Sequence, residues 1–64
     1  MMDEYFDEAK SENKLVAFVC CEKSNPVTNS EAFKKYASEN LYLLGMYYDG
    51  ETLYVFKNGK EITS

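Results

Sequence analysis

Two uninterrupted apolar runs, residues 15–21 and 41–48, constrain this chain more than any other feature of its sequence. A run of that length without polar alternation is typical of a β-strand that is buried on both faces. We therefore predict two inner strands, each apolar on both sides. A sheet built from them needs cover above and below, and a chain of 64 residues has few other elements to provide it.

Two short amphipathic helices are the elements predicted to cover the sheet. The first spans about residues 3–13, and Asp3 can cap its start. The second begins with a capping box, in which the Thr28 hydroxyl accepts from the Glu31 amide, and ends at about Asn40. Their narrow apolar faces consist of Tyr5, Phe6 and Ala9 in the first helix and of Ala32, Phe33, Tyr36 and Ala37 in the second. If both helices pack on one face of the sheet, the other face stays bare; if they split, each face is half covered.

Two tight-turn dipeptides organise the last third of the chain. Asp49-Gly50 and Asn58-Gly59 are strong hairpin signals one strand length apart, and they favour an antiparallel meander. The strands that they separate are predicted at residues 41–48, 52–56 and 60–63. Within the first of these, Gly45 indicates a bulge or a close approach to the backbone.

The sequence as a whole predicts one small α+β domain over residues 1–64. Its element order is α-β-α-β-β-β, with two short helices and a three- or four-stranded, mainly antiparallel sheet. An acidic N-terminal helix over about residues 3–13 precedes an α+β core over about residues 14–64.

Four segments of the chain resemble the thioredoxin family, in the order in which that family has them. They are FDEA at 6–9, KLVAF at 14–18, FKKYASE at 33–39 and TLYVFKNGKE at 52–61. They are similar, in turn, to the first helix, the central strand before the active site, the helix after it and the terminal hairpin. The resemblance implies an abbreviated thioredoxin-like domain, since no segment corresponds to the family's first strand, cis-proline segment or last helix.

The same resemblance places Ser24-Asn25-Pro26-Val27 where the family has its Cys-Gly-Pro-Cys motif. Both redox sulfurs would then be missing. The resemblance therefore implies a domain from which the family's redox chemistry has been removed.

The negative charge of the chain is concentrated at its N-terminus. The sequence has 11 acidic residues and 7 lysines, a net charge of -4, and residues 1–12 carry five of the acids against Lys10 alone. We predict that this helix steers the approach of a basic target, through Asp3, Glu4, Asp7 and Glu8. Direct nucleic-acid binding is not expected, because no basic stripe is present to release counterions. An acidic nucleic-acid mimic stays open as a further alternative.

The sequence offers few of the residue combinations that catalysis requires. The chain has no histidine, so its serines and threonines lack a base to activate them. Its paired carboxylates lack the glycine-punctuated loop of a calcium site. We therefore expect no enzyme activity, no metal and no cofactor.

The adjacent thiols of Cys20 and Cys21 are the one redox-capable feature. Neighbouring side chains in a strand point to opposite faces, so the two sulfurs should diverge and lie buried as small hydrophobes. A thiol-redox or redox-derived protein that uses Cys20 or Cys21 remains the alternative. Reduced cysteines fit a cytoplasmic location. No apolar run approaches the ~20 residues of a membrane span, and no signal segment opens the sequence, so no membrane association is expected.

The aromatic residues of the predicted hairpin are the most informative candidates for function. Alternation along residues 41–48 places Tyr47 on one face and Tyr42, Met46 and Tyr48 on the other. A large exposed aromatic patch usually marks an interface, in which tyrosine and methionine are favoured. The candidate partner-binding residues are Tyr42, Met46, Tyr47, Tyr48, Tyr54 and Phe56.

These features together predict a non-catalytic interaction protein. Its partner would be another protein or a second copy of itself in a homodimer. By analogy, such a protein would regulate or inhibit a larger machine, as a phage-encoded protein acts on a host enzyme.

Overall fold

The computed structural model describes residues 2–63, which form two helices and four strands. They are α1 (Met2–Ser11), β1 (Leu15–Glu22), α2 (Glu31–Asn40), β2 (Leu41–Asp49), β3 (Thr52–Lys57) and β4 (Lys60–Glu61). The predicted α+β class and element order are confirmed. The strands form one sheet in the order β1-β2-β3-β4.

The sheet is mixed, with one parallel and two antiparallel pairings. β1 and β2 are parallel, which requires the crossover connection that α2 supplies. The meander from β2 to β4 is antiparallel, as predicted. Its tight turns depend on positive φ angles at Gly50 (62°), Asn58 (51°) and Gly59 (83°). Asp49 itself remains in β2, so Gly50 and Glu51 form the first turn.

β1 lies at the edge of the sheet, and the prediction of an inner strand is wrong for it. Its side chains are correspondingly open: Leu15 is 77% exposed and Phe18 is 62% exposed. The physical reason is that an apolar run indicates apolar faces and does not indicate whether a strand has neighbours on both sides. The thioredoxin resemblance implied a central strand here, and that position is not observed. The kinship itself stays a prediction.

The N-terminus of α2 is capped by Ser30 and not by Thr28. The Ser30 hydroxyl accepts a hydrogen bond from the Phe33 amide at 3.1 Å. Thr28 is held in the preceding turn, where its amide donates to Asn25 Oδ1 at 3.0 Å. The Asn25 side chain thus builds a local turn that competes with an earlier helix start.

α1 ends at Ser11, two residues before the predicted boundary. Asn13 adopts a left-handed conformation, with φ of 57°. The Asn13 amide donates to the Lys10 carbonyl, and the Lys14 amide donates to the Ala9 carbonyl at 2.9 Å. This pair of bonds is a Schellman motif, which closes the helix and turns the chain directly into β1.

The two helices pack on opposite faces of the sheet, so each face is only partly covered. We call them the α1 face and the α2 face. The α1 face carries Val16, Phe18, Cys20, Tyr42, Leu44, Met46, Tyr48, Leu53, Val55 and Lys57, and the α2 face carries Leu15, Ala17, Val19, Cys21, Leu41, Leu43, Gly45, Tyr47, Tyr54 and Phe56. The buried core lies under α1, where Ala9 packs against Tyr42 and Leu44. No helix within residues 2–63 is long and apolar enough to cross a membrane.

Candidate docking surface

An apolar patch on the α1 face remains open to solvent. We call it the bare patch, and it consists of Phe18, Met46, Tyr48, Leu53 and Ile62. Each of these side chains is between 41% and 62% exposed. Register places them on adjoining strands: Tyr48 faces Leu53, and Met46 faces Val55. The Ile62 amide donates to the Val55 carbonyl at 2.7 Å, which extends the patch past the end of β4.

The patch is bare because α1 covers only one end of the sheet. The helix packs over the start of β1 and β2, where Val16, Tyr42 and Leu44 lie. The Schellman turn then ends α1 and leads the chain directly into β1. At the other end of the α1 face, where β1 and β2 finish and β3 begins, no helix of residues 2–63 covers the sheet.

α1 is held to the sheet by a small polar cluster around Tyr42. The Tyr42 hydroxyl donates to the Glu8 carboxylate, and Lys57 Nζ lies 3.8 Å from Glu8 Oε1. The Tyr5 ring contacts the Tyr42 ring, with centroids 6.2 Å apart, and Lys57 lies over the Tyr5 ring. Burial raises the pKa of Tyr42 to about 12, and the adjacent Glu8 adds to this effect. The contacts give Glu8 an anchoring role beside the steering role that was predicted for it.

The predicted steering carboxylates lie on the same side of the sheet as the bare patch. Asp3, Glu4 and Asp7 are all exposed on α1. α1 packs over the end of the α1 face that holds Val16, Tyr42 and Leu44, so these acids lie on the side of the sheet that a partner of the bare patch would approach. The acidic helix and the apolar patch therefore share one side of the sheet.

The six predicted partner-binding residues do not form one surface. Tyr42 is 1% exposed and belongs to the core, so its place among the docking residues is wrong. Met46 and Tyr48 lie in the bare patch. The other three, Tyr47, Tyr54 and Phe56, lie on the α2 face. The predicted alternation along residues 41–48 already separates Tyr47 from Met46 and Tyr48, and the register of β3 adds Tyr54 and Phe56 to the face of Tyr47.

Three residues of the bare patch were missed by the sequence interpretation: Phe18, Leu53 and Ile62. For Leu53 a signal existed, because a two-residue turn at Gly50-Glu51 sets Tyr48 opposite Leu53 and puts both on one face. For Phe18 the signal was absent. Its exposure depends on the edge position of β1, which the apolar run does not reveal.

The α2 face is covered partly by its own aromatic side chains. A Cβ atom added at Gly45 would overlap the Tyr47 ring, so this ring lies flat over the glycine and confirms a close approach there. The Tyr47 and Phe56 rings meet edge to face, with centroids 5.6 Å apart. Lys23 Nζ lies 3.9 Å from the centre of the Tyr54 ring. Burial raises the pKa of Tyr47, with a smaller contribution from Cys21.

A groove of about 590 Å³ remains between α2 and this aromatic floor. Its walls include Phe33 and Ala37 of α2 and Leu43 of β2, and lysines occupy part of its rim. Lys14, one of these lysines, is engaged by the Ser38 carbonyl at 3.1 Å and by Glu12 at 3.7 Å. The groove is therefore closed in part by contacts within the chain.

The two cysteines are free thiols on opposite faces, as their adjacency predicts. Cys21 is half-buried on the α2 face, with its sulfur 3.8 Å from Thr28 Oγ1. Cys20 is exposed on the α1 face, so the prediction that it is buried is wrong. Its exposure has the same cause as that of Phe18, namely the edge position of β1. Within residues 2–63, no three acidic or cysteine side chains group closely enough to hold a metal ion.

Comparison of the chain with protein-family models, with curated proteins and with solved structures found no match.

Proposed function

We propose that this protein is a non-catalytic interaction module that docks on a larger protein through the bare patch. The observation that carries the proposal is the size and continuity of the patch. Its five large side chains together expose on the order of 500 Å² on a very small domain, and patches of that size are often functional. By binding there, the chain would regulate or inhibit its partner.

The proposed partner is a protein surface with an apolar centre and basic side chains on the side that meets α1. The apolar centre would cover Met46, Tyr48 and Leu53. The basic side chains would lie near Asp3 and Asp7, which are exposed on the same side of the sheet. Charge complementarity of this kind speeds association and fixes orientation more than it adds affinity. We place the interaction in the cytoplasm, where the two free thiols would stay reduced.

The variant Leu53→Lys tests the proposal, because it places a charge in the centre of the bare patch. The matched control is Thr52→Lys, since Thr52 is the preceding residue of β3, is exposed, and points to the other face. Proteins captured by the wild type and by Thr52→Lys, but lost with Leu53→Lys, are the expected result. Their capture should also weaken as salt is raised, because the steering charges are exposed.

Equal capture by all three forms would contradict the proposal, and so would the absence of any protein that distinguishes them. Circular dichroism on each variant establishes that the fold is retained. Both substitutions are at exposed positions, so neither should lower the free energy of unfolding by more than about 0.5 kcal/mol.

A further inference from the structure

The outer edge of β1 presents backbone groups that nothing within residues 2–63 satisfies. The Lys23 amide donates to the Tyr48 carbonyl at 2.8 Å, and this bond fixes which residues of β1 face β2. In a parallel pair the facing residues alternate, so residues 15, 17, 19 and 21 bond to β2. The amides and carbonyls of Val16, Phe18 and Cys20 therefore point outward, and no hydrogen bond within the described chain uses them.

This edge lacks the features that keep edge strands from pairing. In natural proteins, an interior lysine, a proline, a bulge or a very short strand prevents an edge strand from pairing with another chain. β1 has eight residues, and no charge or proline occurs between Leu15 and Cys21. Leu15, Phe18 and Cys20 are also exposed. Along this edge, backbone amides and carbonyls lack partners within residues 2–63, and the exposed side chains are apolar.

We propose that a second copy of this chain pairs with this edge, strand β1 against strand β1, antiparallel and centred on Phe18. In an antiparallel ladder every second opposed pair exchanges both backbone bonds, so a residue of β1 whose backbone faces outward must oppose another such residue of the second copy. With Phe18 opposite Phe18 of the second copy, Val16 opposes Cys20, and this requirement is met along the strand.

The charges at the two ends of the strand select the same register. Centred on Phe18, the pairing sets Lys14 of each copy opposite Glu22 of the other, and Lys14 Nζ would exchange its contacts with the Ser38 carbonyl and Glu12 for this pair. The nearest registers that keep the backbone rule are centred on Ala17 or Val19. They set Lys14 opposite Cys20, or Glu22 opposite Val16, and lose both charge pairs. Charge complementarity therefore points to a second copy as the occupant of this edge.

Pairing in this register also covers part of the α1 face. The two-fold axis lies perpendicular to the sheet, so the α1 faces of both copies lie on the same side. Cys20 of one copy then lies beside Val16 of the other, and Val16 packs against the core under α1. The end of β1 that its own helix leaves open thus meets the helix-covered end of its partner. Met46, Tyr48 and Leu53 stay open, so the inference goes beyond the proposed docking function and does not depend on it.

Cysteine cross-linking tests the register directly. Leu15 opposes Cys21 of the second copy in a pair without mutual hydrogen bonds, for which the Cα separation is about 4.5 Å and suits a disulfide. The variant Leu15→Cys/Cys20→Ser, oxidised at low protein concentration, should become a covalent dimer linked between residues 15 and 21. The matched control Thr52→Cys/Cys20→Ser has the same number of thiols, with the new one away from β1.

Peptide mapping of the cross-linked product decides the outcome. A product dominated by the 15-to-21 link, with little dimer in the control, supports the inference. A random mixture of 15-to-15, 15-to-21 and 21-to-21 links, or equal dimer in the control, would overturn it.

Sedimentation equilibrium supplies an independent test on the uncross-linked protein. The wild type should sediment with twice the mass of one chain. Glu22→Lys should raise the dimer dissociation constant about tenfold, because it replaces two attractive pairs by two repulsive ones. The exchange Lys14→Glu/Glu22→Lys should restore the dimer. A wild type that is monomeric at every concentration, or a charge exchange that folds without restoring the dimer, would overturn the inference.

Leu53→Lys separates this inference from the proposed function. It should leave the dimer intact, because Leu53 lies two strands away from the edge of β1. Loss of the dimer in Leu53→Lys with retention in Glu22→Lys would overturn the β1 pairing and would favour the bare patch as the self-association surface.

Discussion

The two faces of the sheet carry similar numbers of apolar side chains, yet these side chains are shielded from solvent in different ways. On the α2 face, the Tyr47 ring lies down over Gly45 and meets Phe56, so the aromatic side chains cover one another. On the α1 face, α1 buries Tyr42 and Leu44 at one end, and the side chains at the other end stand open. Exposure of apolar side chains in this sheet therefore depends on a glycine and on where a helix ends, and not on hydrophobicity alone.

The largest expected effect comes from removing the centre of the covered end. Tyr42→Ala deletes a side chain that is 1% exposed and contacts Ala9, Leu44 and Tyr5. We expect a loss of about 3–5 kcal/mol in the free energy of unfolding, which is comparable to the whole stability of so small a domain. Urea unfolding followed by circular dichroism measures it. An unchanged midpoint would show that α1 does not close a core there.

A smaller effect is expected from disturbing the α2 face. Gly45→Ala adds a methyl group where the Tyr47 ring lies, so the ring has to move from its contact with Phe56. The expected loss is about 1–3 kcal/mol. In the double variant Gly45→Ala/Tyr47→Ala, the alanine at 45 should cost much less, since the obstructing ring is gone. Strictly additive losses in this double-mutant cycle would contradict the proposed contact.

The covered end of the α1 face should also make the stability of the protein depend on pH, through Tyr42. The pKa of Tyr42 is raised from 10.0 to about 12 in the folded protein, mainly by burial and then by Glu8. The folded state therefore holds this proton more tightly than the unfolded state. The resulting stability is fully present below pH 10 and is lost as pH rises toward 12.

Tyr42→Phe is the matched control for this pH dependence, because it keeps the ring and removes the titrating hydroxyl. Urea midpoints measured between pH 8 and pH 12 should fall more steeply for the wild type than for Tyr42→Phe. Parallel curves would mean that the Tyr42 hydroxyl titrates in the folded protein as it does in the unfolded chain.

Local sequence signals predicted the elements, and non-local contacts decided which surfaces are open. The turns at Gly50 and Gly59 were predicted directly, and the close approach at Gly45 was one of two predicted alternatives, because each feature depends on the chain within a few residues. The edge position of β1 could not be predicted, because the local sequence around Phe18 is equally typical of an inner strand. The burial of Tyr42 depends on packing against Ala9 of α1, and its hydroxyl donates to Glu8, which lies 34 residues away in the chain.

The most direct test of the account is the solvent accessibility of the bare patch in the isolated chain. A soluble paramagnetic agent broadens the NMR signals of methyl groups that solvent can reach. We expect strong broadening for the methyl groups of Met46, Leu53 and Ile62, and protection for those of Leu44, which lies under α1. Equal protection of all four residues would show that the α1 face is closed, and would contradict the account.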